Sequence, residues 1–162
     1  MNSTIMRPVI AFASLLLAGC AGIRSDSPAG NYRDEQAKVE RVLNGIFDAA
    51  ETKELERLDS YHFYGPKFTK FGVGQLGRED AAVARKREHD GVTAVNELSM
   101  KADDLKVDVF GEAAIATFII NYSYRAGNQR TEKKERSTLV FVKDHGNWKI
   151  AHEHFSQFNP SP

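Results

Sequence analysis

At 162 residues the chain has room for one domain around one core, and 22 Lys+Arg against 22 Asp+Glu leave it with no formal net charge. Balanced charge gives no electrostatic reason to expect a nucleic-acid partner, and a single cysteine excludes an internal disulfide. No repeat of about 20–50 residues runs through it, which removes solenoid and propeller architectures.

The chain opens with one charge, Arg7, then the apolar run Val9 to Ala18, then Gly19-Cys20. That is the layout of a signal peptide, and the run is about half of the roughly 20 apolar residues a membrane-spanning helix needs. Leu17-Ala18-Gly19-Cys20 resembles the lipobox of bacterial lipoproteins. The resemblance implies cleavage after residue 19, lipid on the Cys20 sulfur, and a protein held at a membrane of the cell envelope. Ala21 stands where an Asp often marks inner-membrane retention, so in a two-membraned source the periplasmic face of the outer membrane is expected. Residues 20–33, rich in Ser, Gly, Pro and charge, read as a flexible tether.

From Asp34 the period changes. Val39, Val42, Leu43, Ile46, Phe47 and Ala50 recur at spacings of three and four and predict a helix to Glu51, with a shorter helical segment following at Leu55 and Leu58. Tyr61 to Gly72, aromatic and broken by Gly65 and Pro66, suits an irregular or edge strand. Gly72-Val73-Gly74-Gln75-Leu76-Gly77 matches GxGxxG by letter but sits in no βαβ unit, and reads as a loop. The acidic start Glu79-Asp80 predicts a helix over Ala81 to Asp90, with Arg85, Lys86 and Arg87 on a solvated face.

The second half predicts strands at Leu98–Phe110, Ala113–Tyr124, Glu132–Lys143 and Asn147–Phe158, parted by turns at Gly111, Gly127 and Gly146. Strands joined this closely are expected to be antiparallel neighbours. Helices followed by a meander give an α+β domain over residues 34–158, with 159–162 as a tail. In the second of these strands, Ala114 to Tyr124, both faces carry apolar side chains, so the strand is expected to be covered on both sides, by helices on one and a partner subunit on the other.

Simple alternation puts Trp148, Ile150, His152 and His154 on one face of the last strand, with Glu153 and Phe155 on the other. Three readings of the histidine pair stay open. They are satisfied structural residues, pocket residues that orient a ligand or act as acid or base, or metal ligands. For the last, only His62 offers a third donor, and no zinc-binding motif accompanies them, so neither metal nor cofactor is expected.

The run Glu135 to Ser156 resembles the closing strands of SnoaL-like domains of the nuclear transport factor 2-like superfamily: Arg136 and Thr138 in one strand, an Asp-Gly-type turn, then Trp148, Ile150, His152, His154 and Ser156. The association domain of calcium/calmodulin-dependent kinase closes on a similar strand. The resemblance implies a cone-shaped α+β fold, N-terminal helices on a strongly curved, mainly antiparallel sheet, dimeric through that sheet. It further implies a cavity that receives Arg136, Thr138, Trp148, His152 and His154, with Tyr61, His62 and Phe63 at its rim. Ketosteroid-isomerase-like members need a Tyr on the first helix and a carboxylate near the first strand. Leu43, Ile46 and Phe47 occupy the first position and Phe68 to Gly72 the second, so that chemistry is not expected. The readings that remain are a pocket binding a small, partly apolar ligand, an isomerase, cyclase or hydratase using His152 or His154 as acid or base, and an assembly module.

Overall fold

The computed structural model describes residues 32–157, so the leader, Cys20, the tether up to residue 31 and the tail lie outside it, while Tyr32 and Arg33, read as the end of the tether, are the N-cap and first residue of a helix. Its elements are α1 (Arg33–Glu51), α2 (Leu55–Ser60), β1 (Thr69–Phe71), α3 (Ala81–Ala94), β2 (Asn96–Phe110), β3 (Ala113–Ala126), β4 (Gln129–Asp144) and β5 (Asn147–Gln157). The strands form one curved sheet in the order β1-β5-β4-β3-β2, antiparallel except for β1, which runs parallel to β5 at the edge. This is the α+β architecture expected of the sequence.

The three hairpins close where turn residues were read. Gly111 and Gly127 take positive φ (66° and 58°), and the last turn places both His145 (49°) and Gly146 (82°) there. Two consecutive positive-φ residues match the right-handed twist of flanking strands, which a turn built from ordinary φ values would splay. The first contiguous apolar stripe also behaves as read: Val39, Leu43, Ile46, Phe47 and Ala50 are buried on α1. They pack on the inner face of β3, where Ala114, Ala116, Phe118 and Ile120 are buried, and Phe47 meets Phe118 edge-on at 6.2 Å between ring centres. Each fully buried Leu or Phe here contributes about 1.5–3 kcal/mol of transfer free energy, the largest favourable term available to a domain of this size.

α3 begins at a capped end, Asp80 Oδ1 accepting from Val83 N at 3.0 Å. It runs four residues past the predicted stop and buries Ala84 and Val92 against the open side of the sheet. The segment before β1 pairs with β5 twice. Tyr61–Phe63 bonds around Ile150, Phe63 N donating to its carbonyl at 2.7 Å and Ile150 N to the Tyr61 carbonyl at 2.9 Å. Thr69 to Phe71 then lies beside His152 to His154. Among the described residues no helix is long and apolar enough to cross a membrane.

Candidate functional site

The pairing of β4 with β5 decides which side chains enter the domain. Val140 pairs with His152 but Phe141 pairs with Ile150, so Ala151 is unopposed and forms a β-bulge. An extra residue shifts the two-residue alternation by one, and every side chain beyond it changes face. Trp148 and Ile150 point inward, as read, and are buried. Past Ala151 the inward residues are Glu153 and Phe155, and His152 and His154 face out.

This corrects the placement expected for four residues. Directly opposed residues share a face, so Thr138 beside His154, Arg136 beside Ser156 and Val140 beside His152 lie on the outer side with exposed Thr117. The structure therefore brings Arg136, Thr138, His152 and His154 together, but outside the cone. His152 Nδ1 lies 2.8 Å from Thr69 Oγ1, and Arg136 donates to the Gln157 carbonyl at 3.4 Å. Trp148 is inward but set against the first turn of α1, donating from Nε1 to Glu35 Oε2 at 2.8 Å, with Lys143 Nζ 5.1 Å from its ring centre. Glu35, held by Lys38, Lys143 and Trp148, stays ionised down to about 2. Tyr61 packs over Gly45 of α1, and Phe63 is spent on the Ile150 pairing.

Of the residues singled out, His62 is the one that joins an inner polar cluster. Its side chain is fully buried. Nδ1 donates to the Leu58 carbonyl at 3.0 Å, and Nε2 faces Glu153 Oε1 at 3.2 Å and Glu88 Oε2 at 3.8 Å. Lys70 Nζ holds the other oxygen of Glu153 at 2.5 Å and lies 5.2 Å from the Phe155 ring centre. Tyr64 stacks on the His62 ring at 4.8 Å and donates its hydroxyl to Glu88 Oε2 at 2.9 Å. Burial disfavours a charged imidazole, but the Glu153 hydrogen bond and the Glu88 and Glu153 charges outweigh it and push His62 up to about 9. Burial alone raises a carboxyl, yet Lys70 and His62 hold Glu153 below the usual range. Burial followed by the Glu88 charge drives the Tyr64 hydroxyl well above its ordinary value, keeping it a neutral donor.

His62, Glu88 and Glu153 place their donor atoms within 4.8 Å of one another, the spacing of a metal site. Their chemistry fits poorly, because a metal needs a neutral imidazole and both His62 nitrogens already act as donors. Lys70 already supplies positive charge to Glu153, through its other oxygen. Alongside, Asp59 accepts from His89 at 2.8 Å and from Arg85 at 2.6 and 2.9 Å, and Arg87 pairs with buried Glu79 at 3.1 Å. Arg85 and Arg87 thus fasten α3 to the polar cluster while keeping about half of their surface in water.

Two members of this cluster, Lys70 and Glu88, reach a cavity of about 450 Å³ between α1, α3 and the inner face of β2, β3, β4 and β5. Ile46, Val92, Leu98, Met100, Ile120 and Phe155 make it largely apolar, with Lys70, Arg87 and Glu88 at one side and Tyr122, Tyr124 and Glu135 at another. Tyr122 donates to Glu135 Oε1 at 2.5 Å. Burial, then this bond, raises the Tyr122 hydroxyl far above its ordinary value.

A family model described as the SnoaL-like domain matches residues 39–160. The chain belongs to the SnoaL-like domain family. No curated protein matches the SnoaL-like chain. Among solved structures, a candidate dehydratase of the nuclear transport factor 2-like family from Streptomyces avermitilis superposes with a TM-score of 0.73 at 16% identity, over 80% of this chain and 100% of that one. A nuclear transport factor 2-like protein from Salmonella enterica gives 0.70 at 16%, over 82% and 96%. A candidate calcium/calmodulin-dependent protein kinase II association domain from Xanthomonas campestris gives 0.66 at 14%, over 82% and 91%. At these identities the likeness is one of fold. The cavity-lining polar groups of the SnoaL-like domain that the sequence did not single out include Lys70, Glu88 and Glu135, with buried Glu153 holding Lys70 in place.

Proposed function

We propose that the domain binds a small, partly apolar molecule inside the cone and is held at the cell envelope by lipid on Cys20. The observation that carries the binding reading is the cavity itself. Its volume of about 450 Å³ lies within the roughly 300–1,000 Å³ usual for small-molecule sites, and its apolar walls with a few convergent polar groups have the usual composition of such sites. The lipid reading rests on Leu17-Ala18-Gly19-Cys20 and is tested by intact mass of the membrane-extracted protein, which a Cys20→Ser change would return to the unlipidated value.

Binding is tested by a thermal-shift screen of metabolites and lipid-like molecules against the purified protein and a Leu98→Trp variant that fills the cavity wall. Ligand at about 100 times its Kd stabilises by roughly 2.7 kcal/mol. Hits lost in Leu98→Trp support the reading, and a screen without hits sinks it. A second reading, turnover, is favoured by Glu88 and Lys70 both lining the cavity, a carboxylate and an ammonium beside one substrate space. The fold relative from Streptomyces avermitilis is called a candidate dehydratase, so elimination of water from a hit is the first reaction to assay. Homodimerisation through the outer sheet face is supported by Ile115, 39% exposed there beside half-buried Ile119, Val140 and Val142. Light scattering at graded concentration tests it.

A further inference from the structure

Resting on the cavity as a ligand site, we infer that its ligand is an uncharged molecule with an apolar body, a hydrogen-bond-accepting oxygen at the Lys70 end and a hydroxyl or amine donor at the Glu135 end. At the inner end, the Lys70 ammonium carries three N–H donors. One is used by Glu153 Oε2, and even if a second points at the Phe155 ring, whose centre lies 5.2 Å away, a third is left for an oxygen. Lys70 lines the cavity, so an oxygen entering there meets a charged donor.

An anion gains little at that point. The cations His62, Lys70 and Arg87 are matched one for one by Glu79, Glu88 and Glu153. A carboxylate ligand at Lys70 would share that side of the cavity with Glu88, with no surplus positive charge to offset its desolvation. A ketone, ether or hydroxyl oxygen takes the N–H without that cost.

The other end has the opposite polarity. Glu135 uses Oε1 to accept from Tyr122, and a carboxylate has acceptor sites on both oxygens, so Oε2 remains for a donor on the ligand. Cross-strand register sets the separation. Lys70 pairs with Glu153 and Glu135 with Gln157 on opposite sides of β5, so the two positions lie about 13 Å apart along the strand at ~3.3 Å per residue and about 9.6 Å apart across it at ~4.8 Å per strand spacing, roughly 16 Å in all. Lys70 leans from its end over Phe155, shortening the gap between polar atoms. A body of two aromatic or alicyclic rings fills such a span, and Ile46, Val92, Met100 and Ile120 provide its walls.

The test is a titration of the intact protein at neutral pH with biphenyl, para-acetylbiphenyl, para-hydroxybiphenyl, the biphenyl carrying acetyl and hydroxyl groups at opposite para positions, and the hydroxybiphenyl carboxylate. Each neutral polar end is expected to improve affinity about tenfold over biphenyl, the value of one hydrogen bond to a charged group. The doubly substituted ligand should be tightest and the carboxylate weaker than it. Lys70→Met should erase the acetyl gain and Glu135→Ala the hydroxyl gain. Because Lys70→Met removes a buried partner of Glu153 and risks the fold, the order of affinities for the unaltered protein decides alone. Equal binding of all five overturns the ligand class and leaves the cavity reading standing. Tighter binding of the carboxylate overturns the uncharged assignment. No binding of any, biphenyl included, removes the cavity reading and this inference with it.

Discussion

His62 Nε2 lies 3.2 Å from Glu153 Oε1 across 91 residues of sequence, and that contact joins the irregular segment before β1 to the middle of β5. It stands at the point where β5 has just changed face. Glu153 is 3% exposed, and a lone carboxylate there would cost several kcal/mol. It is tolerable because His62 holds one oxygen and Lys70 the other. The bulge, the edge strand and the cluster therefore depend on one another: if Ala151 were paired in a regular strand Glu153 would face outward, and without β1 Lys70 would not reach it.

The cluster makes stability depend on pH with a definite sign. His62 has its folded pKa raised from 6.5 to about 9, so its contribution is full below pH 6.5 and is lost as pH rises through about 9. Glu153 is depressed below 4.5, so its contribution is present above that value and lost as pH falls. Both operate fully between about pH 4.5 and 6.5. Urea unfolding of the parent and of His62→Gln should show a gap that shrinks by on the order of 3 kcal/mol between pH 6 and 9.5. A gap independent of pH would mean that the ring is not charged in the folded state.

Removing both members of the ion pair should hurt less than the two single removals added together. Lys70→Met leaves Glu153 with His62 alone and is expected to cost about 3–5 kcal/mol. Lys70→Met/Glu153→Gln should cost less than the sum of the single changes by about 1–3 kcal/mol in denaturant melts. Strict additivity would show that the 2.5 Å contact between Lys70 Nζ and Glu153 Oε2 carries no coupling.

Much of the fold was legible because its signals are local. The α1 stripe has a helical period, Asp80 caps α3, and Gly111, Gly127 and Gly146 stand where hairpins need positive φ. The edge character of the segment around β1 was legible from Gly65 and Pro66, but its parallel partner, some eighty residues away, was not. The site was legible only through His62. A bulge leaves no mark in an alternating strand, since Ala151 suits either face, and so the inward set after it was read with the wrong parity. Lys70, Glu88 and Glu135 escaped notice because charged side chains are ordinarily solvated; what buries these is pairing with residues far away in sequence.

Gly45 supplies a prediction in which the usual sign reverses. In an exposed helix interior, Gly→Ala stabilises by up to about 1 kcal/mol. Here a Cβ would overlap the Tyr61 hydroxyl oxygen and Cζ, so Gly45→Ala is expected to destabilise by about 1–3 kcal/mol. In a Tyr61→Ala background the obstruction is gone and the same change should become stabilising. If Gly45→Ala raises the Tm of the parent protein, Tyr61 does not close over α1 as described.

The outer position of the histidines is testable through the bulge that puts them there. His152→Ala/His154→Ala removes two side chains from the convex face, His154 exposed and His152 bonded to Thr69. Cavity ligands should therefore bind it within about twofold of the parent, a difference of roughly 0.4 kcal/mol. Deleting Ala151 removes the unopposed residue and leaves the register of β4 with β5 unchanged, so Ile150, Glu153 and Phe155 stay inward and His152 and His154 stay outward. Lys70 keeps its buried partner, and the deletion should retain both cavity binding and a cooperative transition, measured by near-ultraviolet circular dichroism during a thermal ramp. In an unbulged strand with the histidines inward, the same deletion would instead turn everything after Ile150 to the opposite face and bring polar groups into the wall formed by Phe118, Ile120 and Leu139. A deletion variant that loses cooperative unfolding, or a double-alanine variant that loses cavity binding, would return His152 and His154 to the inner face.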